Sequence, residues 1–166
     1  MSSGNPETAK AFSYALRLLN YRERSRREVR DKLERKKFSA PVIAEVLEKC
    51  EDLGLIDDEK FARLWIRSRI RFKPRSAWLI GRELREKGIK EEMIGPILEE
   101  EYPAEEERET VRSLASRRIR YYRRDDRETA RRKLYAYLAR RGFSGDMISK
   151  AVAEAFDDNN YNSTIS

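Results

Sequence analysis

The 166-residue chain contains 40% charged and 39% hydrophobic residues, with a mean hydropathy of −0.86 and a formal net charge of +7. No run approaches the roughly 20 apolar residues of a membrane span, and the N-terminus lacks the regions of a signal peptide, so we expect a cytoplasmic protein without one thick core. A single cysteine and no histidine exclude an internal disulfide and remove the commonest metal ligand and general base. The sequence therefore predicts neither a metal site nor a catalytic triad, and no cofactor is expected.

The first three helices are predicted from their caps and their apolar spacing. Residues 1–10 are expected to form a flexible N-terminus, and a helix is expected from about Ala9 to Tyr21. Ser25 and Glu28 have the spacing of a capping box, which predicts the start of a second helix. Ser39 is the expected N-cap of a third helix.

The fourth helix begins after Gly54, which is suited to end the preceding helix, and Asp57 is its expected N-cap. At 100° per residue, one face of this helix is predicted to pack and the opposite face to carry charge. The packing face holds Phe61, Leu64, Trp65, Ser68 and Phe72, and the charged face holds Arg63, Arg67 and Arg71. Ile66 and Ile70 fall outside the packing face, which indicates a second packing partner.

Five further helices follow. Ser76 is the expected N-cap of the fifth helix, and Gly88 is suited to end it. The eighth helix is predicted to stop at Gly142, and Ser144 is the expected cap of the ninth. Residues 157–166 are polar and are predicted to form a disordered tail.

The apolar positions repeat along the chain. Three leucines, spaced 51 and 54 residues apart, are each followed five residues later by a second apolar residue. These anchors are Leu33, Leu84 and Leu138, and their followers are Phe38, Ile89 and Phe143. Units of this size bury too little surface to be stable alone, so we predict an all-α fold, an elongated curved array of three tandem three-helix repeats. The predicted repeats are 11–53, 54–102 and 103–156.

The charge is distributed in blocks of alternating sign. The net charges are +6 for 17–37, −6 for 38–59, +9 for 60–90, −8 for 91–109, +9 for 110–141 and −3 for 142–166. Solvated helix faces usually mix signs, whereas residues 67–75 and 117–124 contain no acidic residue. Arginine binds phosphate with paired donors, so these runs indicate DNA binding. The predicted DNA- or filament-binding residues are Arg24, Arg26, Arg27, Arg67, Arg69, Arg71, Lys73, Arg75, Arg117, Arg118, Arg120, Arg123 and Arg124.

Aromatic and acidic residues carry two further hypotheses. The aromatic residues near arginines are typical either of a base-stacking surface or, more commonly, of a core, and both interpretations stay open. They are Trp65, Trp78, Tyr121, Tyr122, Tyr135 and Tyr137. Acidic residues of the third helices either face a protein partner or offset neighbouring arginines within the monomer. The candidates for the protein-facing side are Glu91, Glu92, Glu99 and Glu100.

Two features have the composition of reactive groups. Asp57 and Asp58 are adjacent, but adjacent residues on a helix point about 100° apart, so capping is favoured over a catalytic or metal-binding pair. Cys50 follows Val46 and Leu47 on an apolar face, and burial is therefore favoured over reactivity.

Several short motifs match a family pattern by their order and spacing. In the first two repeats the motifs are 22–25 with Glu28, Val29, Lys32 and Leu33, then 54–58 with Phe61, Ala62, Ser68 and Arg69, then Glu83, Leu84 and 87–89. In the third repeat Tyr137 and Leu138 precede 140–143. Over about residues 11–156 the chain resembles the RecX family of bacterial recombination regulators, which act on the RecA recombinase. One departure is Ser76-Ala77, where members commonly have Gly-Pro and this chain has its proline earlier, at Pro74.

The resemblance implies a non-enzymatic modulator that lodges in the groove of the RecA filament on DNA and restrains strand exchange and ATP hydrolysis in DNA repair and the SOS response. Its implied partners are the RecA filament and DNA of either form, without sequence preference, and we expect a monomer. Two alternatives stay open. A helix-turn-helix transcription factor would need a basic recognition helix where this chain has an acidic one, and a protein-interaction scaffold would leave the arginine runs unexplained.

Overall fold

The computed structural model describes residues 5–158, which form nine α-helices, one 3₁₀ turn and no β-strand. This confirms the predicted all-α class. The helices are α1 (Pro6–Tyr21), α2 (Arg26–Arg35), α3 (Ala40–Asp52), α4 (Asp58–Phe72), α5 (Ala77–Glu86), α6 (Glu91–Glu101), α7 (Ala104–Arg118), α8 (Arg127–Ala139) and α9 (Gly145–Asp158), and the 3₁₀ turn is Ile119–Tyr122.

The helices gather into two compact units. The first unit comprises the described residues through Trp65 together with Glu83–Ile97. The second comprises Ile66–Arg82 together with the described residues from Leu98 onward.

Each unit has a hydrophobic core made largely by three consecutive helices. In the first unit α1, α2 and α3 bury Leu33, and Cys50 is buried among them, as predicted. In the second unit α7, α8 and α9 bury Leu138. The anchor of the middle repeat, Leu84, is also fully buried, so all three anchors occupy core positions.

Most of the predicted cap residues accept a backbone N–H at the start of their helix. Ser25 forms the predicted capping box with Glu28. The Asp57 carboxylate accepts the N–H of Lys60 at 3.0 Å. The Ser76 hydroxyl accepts a backbone N–H from the residue three positions later at 3.1 Å. Local capping chemistry therefore sets these helix starts, as the sequence indicated.

Two predictions at the first repeat need correction. Helix α1 begins at Pro6 instead of Ala9 because the Asn5 side chain accepts the N–H of Glu7 at 3.0 Å, so residues 6–10 are helical. Ser39 does not cap α3 with its side chain. Its N–H and hydroxyl instead donate to the Glu7 carboxylate at 2.8 and 3.3 Å. The rest of the predicted N-terminal segment, residues 1–4, and residues 159–166 of the predicted tail lie outside the described residues.

The packing face predicted for α4 is rotated from the observed one. Phe61, Ala62 and Ile66 are buried, whereas Leu64 is 41% exposed and Phe72 is 69% exposed. The prediction placed the main packing face opposite the arginines and assigned Ile66 to a second packing partner. Burial instead follows the i, i+4 pair of Ala62 and Ile66, because packing between helices selects the face that fits and not the most apolar one.

In the first unit, the N-terminus of α2 is joined to the following repeat. The Ser25 hydroxyl donates to the carbonyl oxygen of Lys87 at 2.7 Å, directly after α5. The N–H of Arg26 donates to the Asp58 carboxylate at 2.8 Å. Burial raises the pKa of Asp58, and the hydrogen bond from Arg26 opposes that rise. Asp58, at the start of α4, therefore caps α2.

The second unit has a related arrangement one repeat further along the chain, in which the backbone N–H of the serine is the donor instead of its hydroxyl. The N–H of Ser76 donates to the carbonyl oxygen of Arg141 at 2.9 Å, and the N–H of Ala77 donates to the Glu107 carboxylate at 2.8 Å. A cap serine, a carbonyl group after the second helix and a carboxylate of the first helix thus join successive repeats in both units. The bond to Arg141 brings the end of α8 to the loop that follows α4.

Candidate nucleic-acid interface

A pocket of about 330 Å³ in the second unit brings together arginines from two of the predicted basic runs. The end of α4, α7 with the 3₁₀ turn, and α8 with the residues after it form its walls. We call it the arginine–tyrosine pocket and define it by Arg71, Phe72, Arg117, Arg118, Tyr121, Tyr137 and Arg141.

Two guanidinium groups lie over the ring of Tyr137. The Cζ atom of Arg118 is 4.6 Å from the ring centre, and that of Arg141 is 4.4 Å from it. Arg118 also donates through Nε to the Tyr122 hydroxyl at 3.0 Å, and this hydrogen bond raises the pKa of Arg118. Each cation–π contact stabilises its geometry by about 0.5–2 kcal/mol, so two positive charges are held in place within the pocket.

Two aromatic rings stand exposed at the edge of the pocket. Phe72 is 69% exposed and Tyr121 is 76% exposed. The Cζ of Arg71 lies 5.1 Å from the centre of the Phe72 ring, and that of Arg118 lies 5.0 Å from the centre of the Tyr121 ring. An exposed ring beside a guanidinium group offers a surface for a nucleobase next to a binding group for its phosphate.

Among the residues that the structure describes, no carboxylate lines the arginine–tyrosine pocket. Arg117 donates from Nε to the carbonyl oxygen of Ser113 at 3.4 Å, and within residues 5–158 neither Arg117 nor Arg71 lies within 4.0 Å of a carboxylate oxygen. The positive potential of four arginines is therefore not offset inside the pocket, which favours an anionic ligand.

The corresponding place in the first unit does contain carboxylates. Lys87, the counterpart of Arg141 in the repeat, forms an ion pair with Glu28 at 2.8 Å. Its Nζ lies 4.9 Å from the centre of the Trp65 ring, and the Trp65 indole donates to Glu83 at 2.8 Å. The basic side chain of the first unit is therefore neutralised by its neighbours.

The repeat explains this difference between the units. Counted from the anchor leucines, Leu79 occupies the position of Glu28, and Tyr137 occupies that of Glu83. Two carboxylates of the first unit are thus replaced by uncharged side chains in the second. Arg141 was not among the predicted binding residues, although its spacing from Leu138 matches that of Lys87 from its own anchor and could have identified it.

The predicted binding residues of the first repeat all contact other groups of the first unit. Arg24 donates from Nε to a carbonyl oxygen of α1 at 3.3 Å. Arg26 forms an ion pair with Glu51 at 2.8 Å. Arg27 lies 4.0 Å from Asp31. Their role in binding stays a prediction, and the nearby carboxylates reduce the positive potential around Arg26 and Arg27.

The middle basic run is less uniform than its sequence suggests. Arg67 forms a two-point ion pair with Glu101, at 2.6 and 2.7 Å, and the Glu101 side chain is only 11% exposed. The lack of acidic residues within this run therefore does not leave Arg67 unpaired, because its partner comes from another helix. Arg69 and Arg75 are half-buried, whereas Lys73 is exposed in the loop after α4.

The rest of the third basic run lies outside the pocket. Arg120 is on the 3₁₀ turn, and Arg123 and Arg124 follow it. All three are exposed, and no carboxylate oxygen among the described residues lies within 4.0 Å of their guanidinium groups. Their binding role stays a prediction.

The acidic candidates have different surroundings. Glu91 accepts two hydrogen bonds from Arg85, at 2.6 and 2.7 Å, and this pairing lowers the pKa of Glu91. Glu92 and Glu99 are exposed and form no ion pair in the described part of the chain, while Glu100 interacts with another group. Glu91 therefore offsets a neighbouring arginine, and a partner-facing role for the others stays a prediction.

Cys50 is buried, as predicted, and hydrogen bonds account for the two adjacent aspartates. Asp57 caps α4 and Asp58 caps α2, so the capping interpretation of this pair is confirmed. No group of three or more potential metal ligands occurs among residues 5–158. None of the helices that the structure describes is long and apolar enough to cross a membrane.

Three family profiles match the chain in order. They are described as the first, second and third three-helix domains of RecX, and they match residues 11–50, 57–95 and 105–152. The chain belongs to the RecX family. Regulatory protein RecX of Chlorobium phaeobacteroides (strain BS1) is 41% identical over 147 residues, which cover 89% of this chain and 94% of that protein. Regulatory protein RecX of Mycobacterium sp. (strain KMS) is 38% identical over 146 residues, 86% of this chain and 79% of that protein.

Solved RecX structures share the fold. The crystal structure of RecX from Lactobacillus salivarius has a TM-score of 0.78 and 28% identity, covering 90% of this chain and 96% of that chain. A second crystal structure of a regulatory protein RecX has a TM-score of 0.77 and 28% identity, covering 87% and 72%. The predicted family and the predicted series of three tandem three-helix domains are confirmed, and the predicted repeat limits stay predictions.

Proposed function

We propose that this RecX protein is a non-enzymatic regulator that binds the RecA filament on DNA and restrains strand exchange and ATP hydrolysis. Relatives named regulatory protein RecX support the regulatory role. The arginine–tyrosine pocket carries the proposal of DNA contact, because four arginines line it and no carboxylate of the described part of the chain does. The proposal places the protein in the cytoplasm, where bacterial DNA lies.

The charge of α3 supports contact with the DNA backbone over sequence-specific reading. The buried face of α3 includes Val46 and Leu47, and Glu45, Glu48 and Glu51 are exposed on the same helix. A recognition helix in the major groove lies close to phosphates and reads base edges mostly with basic and amide side chains. This observation disfavours the transcription-factor alternative.

Two acidic side chains, one in each unit, are proposed to contact the recombinase. Glu92 and Glu99 are exposed acidic residues without an ion pair among the described residues. Complementary charge accelerates docking between proteins, so these carboxylates suit a basic surface of RecA. The pocket would then hold DNA while the acidic side chains contact protein.

Co-sedimentation with RecA filaments tests the proposal. The wild-type protein should sediment with RecA filaments assembled on DNA, and the double variant Arg71→Gln/Arg117→Gln should sediment less. Arg120→Gln/Arg124→Gln makes the same charge change outside the pocket and should have a smaller effect. Absence of wild-type protein from the filament pellet would contradict the proposal, and equal binding to RecA without DNA would favour a protein-only scaffold.

A further inference from the structure

We infer that the arginine–tyrosine pocket binds one unpaired nucleotide of a DNA single strand, with its phosphate at Arg71 and Arg117 and its base against Tyr121. This inference rests on the proposed function, which leaves the form of the bound DNA open. It goes further in assigning the pocket to single strands and in giving the aromatic ring a role distinct from that of the arginines.

The phosphate position follows from which arginines are exposed. Arg71 and Arg117 are exposed. Arg118 and Arg141 are half-buried, and both lie over the Tyr137 ring. Arg71 and Arg117 line the same pocket without a carboxylate partner among the described residues. A phosphate between these two groups would receive paired N–H donors from each side.

The base position follows from the exposure of Tyr121. Arg118 lies 5.0 Å from the centre of this ring, yet the residue remains 76% exposed, so much of the ring surface faces solvent. The pocket volume of about 330 Å³ lies at the small end of ligand sites, which run from roughly 300 to 1,000 Å³. It is suited to one nucleotide and not to a longer segment.

Stacking on Tyr121 distinguishes single strands from duplexes. In a duplex both faces of each base are covered by neighbouring base pairs, so the ring can be used only after a base is unstacked. A single strand exposes base faces at no such cost, and aromatic rings bind them without sequence preference. Phosphate contacts, by contrast, are available in both forms of DNA.

Fluorescence anisotropy with a labelled oligothymidylate strand tests this assignment. Tyr121→Ala should weaken single-strand binding about tenfold, since stacking energies of ~1–3 kcal/mol per base correspond to roughly 5- to 150-fold. Tyr121→Phe should retain the affinity because the ring is kept. The matched control is Trp78→Ala, which removes another exposed ring that lies near an arginine, Arg82, but outside the pocket, and it should change little.

The same strand annealed to its complement provides the second measurement. Duplex affinity should be unaffected by Tyr121→Ala, whereas Arg71→Gln/Arg117→Gln should weaken the binding of both DNA forms. On the single strand that double variant should lower the slope of log K against log[salt] by about 0.7, the value for one lost phosphate contact, because both arginines are assigned to the same phosphate. Arg120→Gln/Arg124→Gln should lower the slope less.

The possible outcomes separate this inference from the proposed function. If Tyr121→Ala leaves single-strand binding unchanged, or weakens duplex binding equally, the nucleotide assignment is overturned while phosphate contact by the arginines can stand. If the protein binds no DNA but its binding to RecA depends on Arg71 and Arg117, the pocket takes an acidic protein surface and the inference fails. If it binds neither DNA nor RecA filaments, both proposals fail.

Discussion

The backbone N–H of Ser76 donates to the carbonyl oxygen of Arg141 at 2.9 Å, and this bond holds the end of α8 against the start of α5. The Arg141 side chain lies over Tyr137, so the same junction also positions part of the arginine–tyrosine pocket. Gly142 follows with a φ of +85°, and a Cβ built there would lie 2.6 Å from the Ser76 hydroxyl oxygen. Repeat packing and the candidate binding site are thus built on the same few residues.

Gly142→Ala should destabilise the second unit. Alanine is strained at this positive φ, and its Cβ would also lie 2.9 Å from the Leu79 Cβ, so we expect a loss of about 2 kcal/mol or more in the free energy of unfolding. Urea unfolding followed by circular dichroism measures it. Gly95→Ala is the control, because Gly95 lies inside α6 and no atom beyond its chain neighbours is within 4 Å of the added Cβ. The gain in helix propensity is opposed by Pro96, which disfavours a Cβ on the preceding helical residue, so the change in stability should stay below about 1 kcal/mol.

Asp58→Ala should weaken the junction of the first two repeats. The variant leaves the N–H of Arg26 without its carboxylate acceptor, and loss of a helix cap costs about 0.5–2 kcal/mol of stability. Thermal unfolding of the two proteins gives the difference. Glu59→Ala, one residue later, removes only a surface ion pair with Arg63 and should stay within about 0.5 kcal/mol. Equal effects of the two changes would show that Asp58 has no special role.

Acid should destabilise the protein through Glu28. Burial would raise the pKa of this carboxyl group, but Arg22 and Lys87 together hold it at about 2, below the ordinary value of 4.5. A depressed folded-state pKa adds stability that is complete above about pH 4.5 and is lost as the pH falls toward 2. The expected contribution is ~1–3 kcal/mol.

Unfolding free energies measured from about pH 6, above the ordinary pKa of 4.5, down to about pH 2, the folded-state pKa, follow most of this dependence. Glu28→Gln should be less stable at neutral pH and should lose less stability on acidification. Glu92→Gln, at an exposed carboxylate with no ion pair among the described residues, should follow the wild-type curve. An unchanged acid-side slope in the Glu28 variant would rule out this role.

Arg67→Gln should mainly affect stability, whereas Arg71→Gln should mainly affect DNA binding. Arg67 pairs with Glu101, so its loss should lower stability by about 1 kcal/mol, because the arginine is exposed although its partner is mostly buried, and should leave DNA binding largely intact. Arg71 lines the pocket, so its loss should weaken DNA binding and leave stability within about 0.5 kcal/mol. Chemical unfolding and anisotropy on the same two variants decide between this division and two equivalent surface arginines.

Glu92→Gln/Glu99→Gln should distinguish the proposed protein contact from the proposed DNA contact. Removing negative charge should leave the affinity for free DNA equal or higher, because repulsion of phosphate is reduced. Association with the RecA filament should weaken if these carboxylates contact protein. Glu91→Gln serves as the control, since Glu91 is already paired with Arg85. A rise in both affinities would assign the acidic side chains to solvated surface.

Local signals in the sequence were sufficient for most of the fold. Cap residues such as Ser25 and Asp57 act within one turn, and the spacing of Leu33, Leu84 and Leu138 reports a repeated core position. The face of α4 was predicted wrongly because Ala62 and Ile66 are buried by packing between helices, which the pattern of a single helix does not contain. Helix existence is local, whereas helix orientation is a property of the assembled repeats.

The candidate site was only partly predictable for the same reason. The run around Arg67 contains no acidic residue, yet its partner Glu101 comes from the end of another helix. Arg71 and Arg117 meet in one pocket although nothing in the sequence between them indicates it. Composition identified the arginines that are candidates for phosphate binding, and only tertiary contacts show which of them are paired within the protein.

The DNA-dependent ATPase activity of RecA, measured with increasing amounts of this protein, tests the central claim most directly. Wild-type protein should lower the rate of ATP hydrolysis, Arg71→Gln/Arg117→Gln should lower it much less, and Arg120→Gln/Arg124→Gln should act nearly as the wild type does. An ATPase rate that the wild-type protein leaves unchanged, with filaments present and the protein folded, would contradict the proposal that it regulates RecA through the filament.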